Sequence, residues 1–382
     1  MKIIYISNSF IPSKAANSVH VVKMCQAFAQ NKHDISLYLP KNKKKDDIND
    51  DIFNFYNINN KFNIEKLPYF SFKGSGYFYN LFAVLKAKYK KTDLVYCRDI
   101  HTAFFCFIFN IDYILELHGP IENFSNILQY MFNYLLKDKN LKLVVITNSL
   151  KKYYLNKFPI LEKRSVFVAP DGADKFQDFN KMIKLDQDKF HIGYVGHLYE
   201  GKGMEIIHPL ASMCSDDIVF HIVGGTDEDL LYWKNKCKCI NNIIFHGFMN
   251  QNLIPQYLNA FDVVLLPNQM KVRGAGKVSY DIAKWTSPLK LFEYMSAKKT
   301  ILASDVDVLK EILKHTDNAW LCNPNNIQEW HDAILYLKNN KEVAKELANN
   351  GYIDFMKNYT WKTRVKNILS NYFDIKIENI LS

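Results

Sequence analysis

Short apolar runs alternate along the whole chain with longer segments in which apolar and polar positions are mixed. Runs of this kind, rich in β-branched residues and ending at turn residues, are typical of strands buried in a parallel sheet. The first half contains six predicted strands, at residues 3–7, 35–39, 94–97, 113–117, 143–147 and 166–169. The second half contains six more, at residues 192–196, 218–223, 243–245, 263–266, 300–303 and 319–322. The mixed segments between them predict the helices that cover such sheets.

Two comparable sets of strands predict an α/β protein with two Rossmann-like domains. A chain of 382 residues is also longer than one hydrophobic core usually supports. A polar, weakly patterned stretch at residues 170–189 is the best position for the connection between the two sets. The sequence therefore predicts a first domain over residues 1–172 and a second domain over residues 186–359.

A helix predicted to start near Ser287 carries the first candidate site. Ser287 is a good N-cap and Pro288 suits the first helical position, so Leu289 and Lys290 fall in the first turn. A helix start gathers unpaired N–H groups and partial positive charge, and Lys290 adds a full charge, which favours an anionic ligand. Glu293 stands among apolar neighbours and would suit the hydroxyls of a ribose. The alternative is an ordinary buried helix in which Glu293 pairs with Lys290.

Turns with glycine or small residues end three predicted strands of the second half. The candidates there are Gly196, His197 and Lys202 after the first strand, Gly224 and Gly225 after the second, and Phe248 after the third. A strand, a glycine turn and a helix in succession let backbone N–H groups approach a phosphate, and the later turns can admit a nucleobase. A glycine-rich turn is weak evidence by itself, so these residues gain weight only together with the helix.

His118 follows a predicted strand and precedes Gly119 and Pro120. In a doubly wound sheet the ligand lies beyond the carboxyl ends of the strands. An imidazole at that place can donate to a sugar hydroxyl or adjust the local charge. Most isolated histidines are structural, and that alternative stays open for His118.

The excess positive charge of the chain is confined to its first half. The formal net charge is +10; residues 1–172 hold 24 Lys and Arg against 14 Asp and Glu, and the remainder holds 25 against 25. The charge is densest at Lys41, Lys43, Lys44 and Lys45. Such a patch suits an anionic membrane, an acidic substrate or nucleic acid, or else is a solvated loop. Nucleic acid is the weakest of these partners, since no recognised binding motif accompanies the charge.

Cysteine usage and hydropathy bear on location. The seven cysteines are scattered, and Cys237 and Cys239 have no matching second pair, so no zinc site is predicted. This pattern is typical of a reducing cytoplasm. No stretch approaches the length of a membrane span. We therefore expect a cytoplasmic protein, either soluble or peripheral on the inner face of the membrane.

Two neighbouring stretches of the chain resemble a known family. Residues 287–295 are Ser-Pro-Leu-Lys-Leu-Phe-Glu-Tyr-Met, and residues 301–305 are Ile-Leu-Ala-Ser-Asp. Together they resemble the donor-binding segment of family 4 (GT4-type) glycosyltransferases. The resemblance implies the GT-B fold, in which two Rossmann-like domains face each other across a cleft. It also implies a closing helix at about residues 360–382 that returns to the first domain. The implied reaction moves a sugar from a UDP- or GDP-sugar to an acceptor hydroxyl of a glycan or lipid-linked glycan, with retention, in surface glycan or polysaccharide synthesis. No cofactor and no metal are expected.

The same resemblance implies roles for single residues. In the family, the counterpart of Glu293 binds the ribose and the helix start receives the diphosphate. Lys202 matches a lysine that neutralises the leaving diphosphate, and His118 matches a histidine that contacts the donor sugar. The predicted catalytic residues are therefore His118, Lys202 and Glu293. Two positions depart from the family pattern, since Trp285 replaces a glutamate and His197 replaces an arginine.

Two other functions stay open on the sequence. A nucleotide-sugar epimerase shares the architecture but needs acid and base carboxylates that face the sugar, and the sequence offers no clear pair. A non-catalytic partner that binds a nucleotide-sugar is suggested by Trp285 and His197, which stand where charged residues are expected.

Overall fold

The computed structural model describes residues 1–41, 51–70, 72, 74–161, 166–177, 182–273 and 281–381, with side chains as far as residue 374. These residues form two compact units, one made of Met1–Asp171 with Trp361–Ser382 (unit 1) and the other of Gly172–Thr360 (unit 2). Each unit is built on its own parallel sheet, so the predicted α/β fold with two Rossmann-like domains is confirmed. Lys43, Lys44 and Lys45 of the predicted basic patch lie outside the described residues.

The sheet of unit 1 contains strands that all pair in parallel. In chain order they are β1 (Lys2–Ile6), β2 (Asp34–Pro40), β3 (Asn63–Leu67), β4 (Leu94–Cys97), β5 (Tyr113–Leu117), β6 (Leu143–Val145) and β7 (Val166–Val168). Their order across the sheet is β3-β2-β1-β4-β5-β6-β7. The helices of this part of the chain are α1 (Ala16–Gln30), α2 (Ile52–Phe55), α3 (Ser75–Tyr89), α4 (Ile100–Ile108), α5 (Asn126–Leu135) and α6 (Asn148–Lys157).

Unit 2 repeats this plan with the sheet order β10-β9-β8-β11-β12-β13. Its strands are β8 (Phe190–Val195), β9 (Ile218–Val223), β10 (Ile243–Gly247), β11 (Val263–Leu266), β12 (Thr300–Ser304) and β13 (Trp320–Cys322). Its helices are α7 (Met204–Met213), α8 (Asp227–Lys236), α9 (Ile254–Ala260), α10 (Leu289–Ser296), α11 (Asp307–Lys310), α12 (Ile327–Asn339) and α13 (Lys341–Asp354). The strand order reverses between β8 and β11, and ligands of doubly wound sheets bind beyond the carboxyl ends of the strands at such a point.

The last helix, α14 (Trp361–Leu381), belongs to unit 1 and packs on α1. Its buried side chains repeat at helical spacing and form one face, made of Trp361, Arg364, Val365, Ile368, Leu369 and Tyr372. The arginine is an exception to the apolar character of that face, and it is only 3% exposed. Like the other described helices, α14 lacks the combination of length and apolar composition that a membrane span needs.

Every predicted strand overlaps an observed one, and the sequence misses only β3 among the described strands. β3 lies at the edge of its sheet, and most of its side chains are partly or fully exposed. One of them, Glu65, pairs with Lys90 at 3.0 Å and also with Lys86. An edge strand with polar residues has no continuous apolar run, so its sequence does not differ from that of a loop.

Candidate functional site

The first predicted site lies at the start of α10. The helix begins at Leu289, and Pro288, with φ −76° and ψ 122°, occupies the N-cap position. The predicted N-cap at Ser287 is therefore wrong by one residue, because the proline already takes the extended backbone of a cap. Proline offers no capping side chain, and Pro288 gives none of the first N–H groups of α10 a side-chain acceptor.

The position of α10 is fixed by its contacts with β8. The Tyr294 hydroxyl accepts a hydrogen bond from the backbone N–H of Val195 at 2.8 Å. On the same side of the helix, Leu291, Phe292 and Met295 are buried in the core. Because these contacts hold the helix against the end of β8, its first turn lies at the carboxyl edge of the sheet.

The Lys290 ammonium lies over the turn that follows β8. It donates to the Tyr194 hydroxyl at 2.8 Å, and its Nζ is 3.9 Å from the centre of the Tyr194 ring. The Tyr194 hydroxyl in turn donates to the carbonyl of His197 at 2.6 Å. Gly196, with φ +150°, passes so close that a Cβ on it would lie 2.9 Å from Nζ of Lys290. The absence of a side chain at Gly196 therefore lets the ammonium reach this place.

The turns after β8 and β9 pack against each other. A Cβ on Gly224, where φ is +117°, would lie 2.2 Å from the carbonyl oxygen of Gly196. The amide of Gly196 donates to the carbonyl of Val223 at 2.9 Å, and the amide of Gly224 donates to that of Gly247 at 2.7 Å. Gly225 follows with φ +86°. The predicted glycines thus lie together at one edge of the sheet. The turn after β9 contacts the backbone of the turn after β8 there, at a distance that leaves no room for a Cβ at Gly224.

Lys202 lies in the loop between β8 and α7 and acts electrostatically on Lys290. Burial lowers the pKa of Lys202 to about 8. Burial, together with the Lys202 charge, holds the pKa of Lys290 well below its usual range, although Glu293 acts in the opposite direction. No carboxylate of the described residues forms an ion pair with either ammonium. Two half-buried cations close together are unfavourable unless an anion completes the site.

The remaining predicted site residues of unit 2 are His197, Glu293 and Phe248, and they differ in burial and in their contacts. The His197 ring stacks on Tyr199, with ring centres 4.8 Å apart and planes 4° apart. Burial and the two lysine charges lower the pKa of His197, so the ring is neutral at pH 7 and adds no positive charge. Glu293 is half-buried on α10. Lys290 bonds to Tyr194 instead of to Glu293, so the predicted alternative of an ion pair between Lys290 and Glu293 is wrong. Phe248 follows β10 and is 41% exposed.

In unit 1, His118 follows β5 beside a buried carboxylate. Its Nε2 forms a hydrogen bond with Glu116, which is 0% exposed, whereas the His118 side chain is 22% exposed. Arg364 bonds both oxygens of Glu116, with each nitrogen 3.1 Å from its oxygen. Tyr96 donates its hydroxyl to the same carboxylate, and Nε2 of His20 lies 2.9 Å from Oε1. The predicted sugar contact is thus one member of a buried charged cluster.

The protonation states in this cluster follow from burial and charge. Burial alone would raise the pKa of Glu116, but the bound guanidinium and the two histidines hold it well below its usual range. Burial lowers the pKa of His118 to about 4, and the Arg98 charge adds to the effect. Burial also raises the pKa of Asp171, whose Oδ1 lies 3.4 Å from Nε2 of His20, to about 7. The cluster therefore holds an ionised Glu116, a neutral His118 and an aspartate that titrates near neutral pH.

Replacing Asp171 by asparagine should raise the melting temperature by a margin that grows from pH 5 to about pH 7 and then levels off. The unfolded aspartate ionises near pH ~4, so the unfolded chain releases this proton before the folded protein does, and stability falls as pH rises toward about 7. Asparagine removes that loss. Thermal unfolding at several pH values measures the margin, with the exposed Asp34→Asn as control. A margin that shrinks with rising pH would contradict the raised pKa.

The same cluster contains a set of potential metal ligands. His20, Glu116, His118 and Asp171 offer ligand atoms within 4.8 Å of one another. The set does not fit a metal ion, because Arg364 already bonds both oxygens of Glu116 and would place its positive charge beside the ion. The cluster is instead a buried ion pair of Arg364 and Glu116, with His118 hydrogen-bonded to the carboxylate and His20 close to it.

Several residues that build these sites are not predicted from the sequence. Tyr194 is a buried strand residue, and nothing in the local pattern marks it as the partner of Lys290. Glu116 does give a signal, since it is a carboxylate inside the apolar strand Tyr-Ile-Leu-Glu-Leu. Its partner Arg364 lies 248 positions later, so only the fold reveals the pair.

Residues 175–354, which contain every predicted site residue except His118, match the family model described as Glycosyl transferases group 1. Over 311 residues the chain is 22% identical to an uncharacterised glycosyltransferase of Methanocaldococcus jannaschii, covering 74% of this chain and 75% of the relative. Among solved structures, a glycosyltransferase from Rickettsia africae ESF-5 matches with a TM-score of 0.75 at 13% identity, covering 98% of both chains. Anabaena Alr3699/HepE in complex with UDP and glucose matches with a TM-score of 0.72 at 15% identity, covering 97% of this chain and 98% of that one.

These comparisons decide between the functions left open by the sequence. The relatives are glycosyltransferases, and the solved structures share the arrangement of two parallel-sheet α/β domains. The prediction of a glycosyltransferase is therefore confirmed, in preference to an epimerase or a non-catalytic binding partner. The chain is a glycosyltransferase with the GT-B fold, and its residues 175–354 are similar to the family described as Glycosyl transferases group 1.

Proposed function

We propose that this enzyme transfers a sugar from a UDP- or GDP-sugar to a hydroxyl of a glycan or lipid-linked glycan, with retention of configuration. The observation that carries the proposal is the pair of half-buried ammonium groups of Lys202 and Lys290, which have no carboxylate partner among the described residues. A diphosphate supplies the negative charge that such a pair lacks. UDP bound to the Anabaena protein of the same fold supports a nucleotide donor here.

In this proposal the lysines act on the leaving group. Cleavage of the bond between the sugar and the β-phosphate leaves negative charge on the phosphate oxygen, and Lys202 and Lys290 neutralise it. The hydrogen bond to the Tyr194 hydroxyl holds Lys290 in place, so little reorganisation is needed as charge develops. Because His197 is neutral, the two lysines supply the positive side-chain charge near this turn. Glu293 binds the ribose hydroxyls and His118 contacts the donor sugar.

For retention, we propose attack on the face from which the leaving group departs. The bond from the anomeric carbon to the phosphate oxygen breaks as the bond to the acceptor oxygen forms. The acceptor's proton moves to the leaving phosphate, so no protein base is required. The lysines stabilise the separating charges during this step. We also propose that no metal takes part, since the two ammonium groups provide the charge that a metal would otherwise bring to the diphosphate.

A lipid-linked acceptor and peripheral contact with the inner face of an anionic membrane complete the proposal. The basic balance of residues 1–172 supports attraction to such a surface. On α3, the side chains of Phe78, Phe82 and Tyr89 are 59%, 46% and 88% exposed, and Lys88 is exposed beside them. Aromatic and basic residues together suit the interface of a bilayer. Surface glycan or polysaccharide synthesis on the cytoplasmic side is the setting that combines these features.

Thermal unfolding with a panel of UDP, GDP, ADP, CMP and NAD tests the donor site. A nucleotide that binds only the folded protein raises its melting temperature. At a nucleotide concentration of about one hundred times the dissociation constant, the free energy of unfolding rises by about 2.7 kcal/mol. We expect a rise with UDP or GDP alone, and the same rise with EDTA in the buffer. Lys290→Met should abolish it.

The outcomes of the panel separate the alternatives. A rise with NAD alone, or no rise with any nucleotide, would contradict the proposed donor. A rise that EDTA removes and added Mn²⁺ restores would contradict the metal-free site. Lys298→Met is the matched control, because Lys298 is exposed just after the end of the same helix.

A further inference from the structure

One ring nitrogen of His118 is already bonded within the protein. Nε2 pairs with Oε1 of Glu116 at the buried side of the ring. Among the described residues, no protein group bonds the other nitrogen, Nδ1. Because 22% of the side chain is exposed, the ring can offer Nδ1 to a ligand.

Glu116 cannot turn away from this bond. Its Oε1 lies close to three groups, namely His118, His20 at 2.9 Å and Nη2 of Arg364 at 3.1 Å. Its Oε2 accepts from the Tyr96 hydroxyl and from Nη1 of Arg364 at 3.1 Å. Since both oxygens are occupied by donors from separate elements, the carboxylate is fixed in orientation as well as in position.

The direction of the hydrogen bond between Glu116 and His118 follows from the charge of the carboxylate. The pKa of Glu116 is held well below its usual range by the Arg364 charge and the histidines, against the effect of burial, so the group is ionised at neutral pH. An ionised carboxylate only accepts hydrogen bonds, and therefore Nε2 of His118 carries the proton. Burial and the Arg98 charge lower the pKa of His118 to about 4, so the ring bears a single proton at pH 7. Nδ1 is then left with a lone pair.

We propose that Glu116 is a positioning residue that fixes His118 as a hydrogen-bond acceptor through Nδ1, so that His118 recognises a hydroxyl group of the sugar by accepting a hydrogen bond from it. The inference rests on the proposed contact between His118 and the donor sugar. It reverses the direction expected from the sequence, in which the imidazole donates to a sugar hydroxyl. It also restricts the ligand, since the sugar position that faces His118 must carry a donor.

Two features of the surroundings keep this arrangement in place. Arg364 and Arg98 are positively charged and oppose a second proton on the ring. The ring of His20 meets that of His118 edge to face, with centres 5.0 Å apart, which restricts rotation of the imidazole. Asp171, the other acid of the cluster, acts on Glu116 and the arginines, and no bond joins it to His118.

The tautomer can be measured directly by ¹⁵N NMR of the full-length protein with labelled histidine. At pH 7 we expect a protonated, pyrrole-type Nε2 and an unprotonated, pyridine-type Nδ1 for His118. His101 is an internal comparison, because its Nδ1 lies 3.1 Å from Oδ1 of Asp99, so the same reasoning gives it the opposite tautomer. The Glu116→Gln protein should show the His118 proton moved to Nδ1, since the amide can donate to Nε2. A wild-type His118 with its proton on Nδ1 would overturn the inference.

Kinetic variants test whether the accepting nitrogen matters for the reaction. The side-chain oxygen of asparagine can take the place of Nδ1 of histidine, whereas the amide of glutamine reaches the place of Nε2. We expect His118→Asn to keep kcat/KM within a few-fold of wild type, and His118→Gln and His118→Ala to lose roughly 10- to 100-fold, the usual loss when a buried hydroxyl is left without its acceptor. The assay uses whichever of UDP-glucose or GDP-mannose is turned over by the wild-type protein.

The two experiments separate this inference from the proposed function. If the tautomer is as expected but every His118 variant turns over the donor as the wild type does, the sugar contact of the proposed function is wrong, and the recognition role is wrong with it. If His118→Gln keeps activity and His118→Asn loses it, the contact stands and the accepting role of Nδ1 is overturned. If Glu116→Gln does not fold, the wild-type spectrum and the His118 variants still decide between these outcomes.

Discussion

Replacing Arg364 by methionine should lower the free energy of unfolding of unit 1 by about 3–5 kcal/mol, the usual cost of leaving one partner of a buried ion pair alone. Arg364 is the guanidinium that bonds both oxygens of the fully buried Glu116. It also donates to the carbonyls of Pro170 at 2.8 Å and Ala169 at 3.0 Å. Methionine has a similar volume but carries no charge and no hydrogen-bond donor. The buried Glu116 carboxylate therefore loses its counter-charge, and the two carbonyls lose this donor.

Urea unfolding followed by ¹⁹F NMR of fluorotryptophan at position 361 measures this loss. The Trp361 ring lies 5.3 Å from the His20 ring, beside the cluster, and therefore reports on unit 1. Lys366→Met is the matched control, because Lys366 is exposed on the same helix, and it should change stability by less than about 1 kcal/mol. Adding Glu116→Gln to the Arg364 variant should recover part of the loss, since the uncompensated charge is then gone. If wild type and Arg364→Met have equal free energies of unfolding, the ion pair between Arg364 and Glu116 does not stabilise unit 1.

Replacing Lys290 by methionine should lower kcat by about 10²–10³-fold, the loss that follows when a preorganised group that stabilises developing charge is removed. The fold should not suffer. Burial and the neighbouring Lys202 charge already disfavour the charged form of Lys290, as the lowered pKa of this group shows, so its removal should leave the melting temperature equal or higher. Steady-state kinetics and thermal unfolding of the same preparation measure the two effects.

The controls for this prediction come from the same helix and from its tyrosine partner. Lys298→Met removes an exposed charge just after the end of α10 and should leave kcat unchanged. Tyr194→Phe removes only the hydroxyl that accepts from Lys290, and we expect a smaller loss than for Lys290→Met. Full activity of Lys290→Met would mean that the ammonium does not act on the leaving group, and it would remove the main support for the donor site.

Local sequence signals are sufficient for much of this fold. Buried parallel strands are continuous apolar runs, and each predicted run overlaps a strand of the structure. The helix α10 is found within one residue of its predicted start, because proline and the apolar spacing act locally. The glycines at positions 196 and 224 are also informative, since their positive φ and close packing leave little room for another residue.

Long-range pairing accounts for what the sequence cannot predict. The bond between Lys290 and Tyr194 joins residues that are 96 positions apart, and no local pattern distinguishes it from a Lys290–Glu293 pair on one helix. The cluster around Glu116 draws on α1, β4, β5 and α14, so its members share no motif. The edge strand β3 is missed for a different reason, because its exposure removes the apolar signal.

Unit 1 is assembled from both ends of the chain, Met1–Asp171 and Trp361–Ser382. During translation, Glu116 leaves the ribosome 248 residues ahead of Arg364, its buried counter-charge. All of unit 2, Gly172–Thr360, is synthesised in that interval. Domains usually fold as units while the chain grows, and those nearest the N-terminus usually fold first. Here unit 1, although most of it is made first, can complete its fold only after α14 has been made, and α14 follows all of unit 2 along the chain.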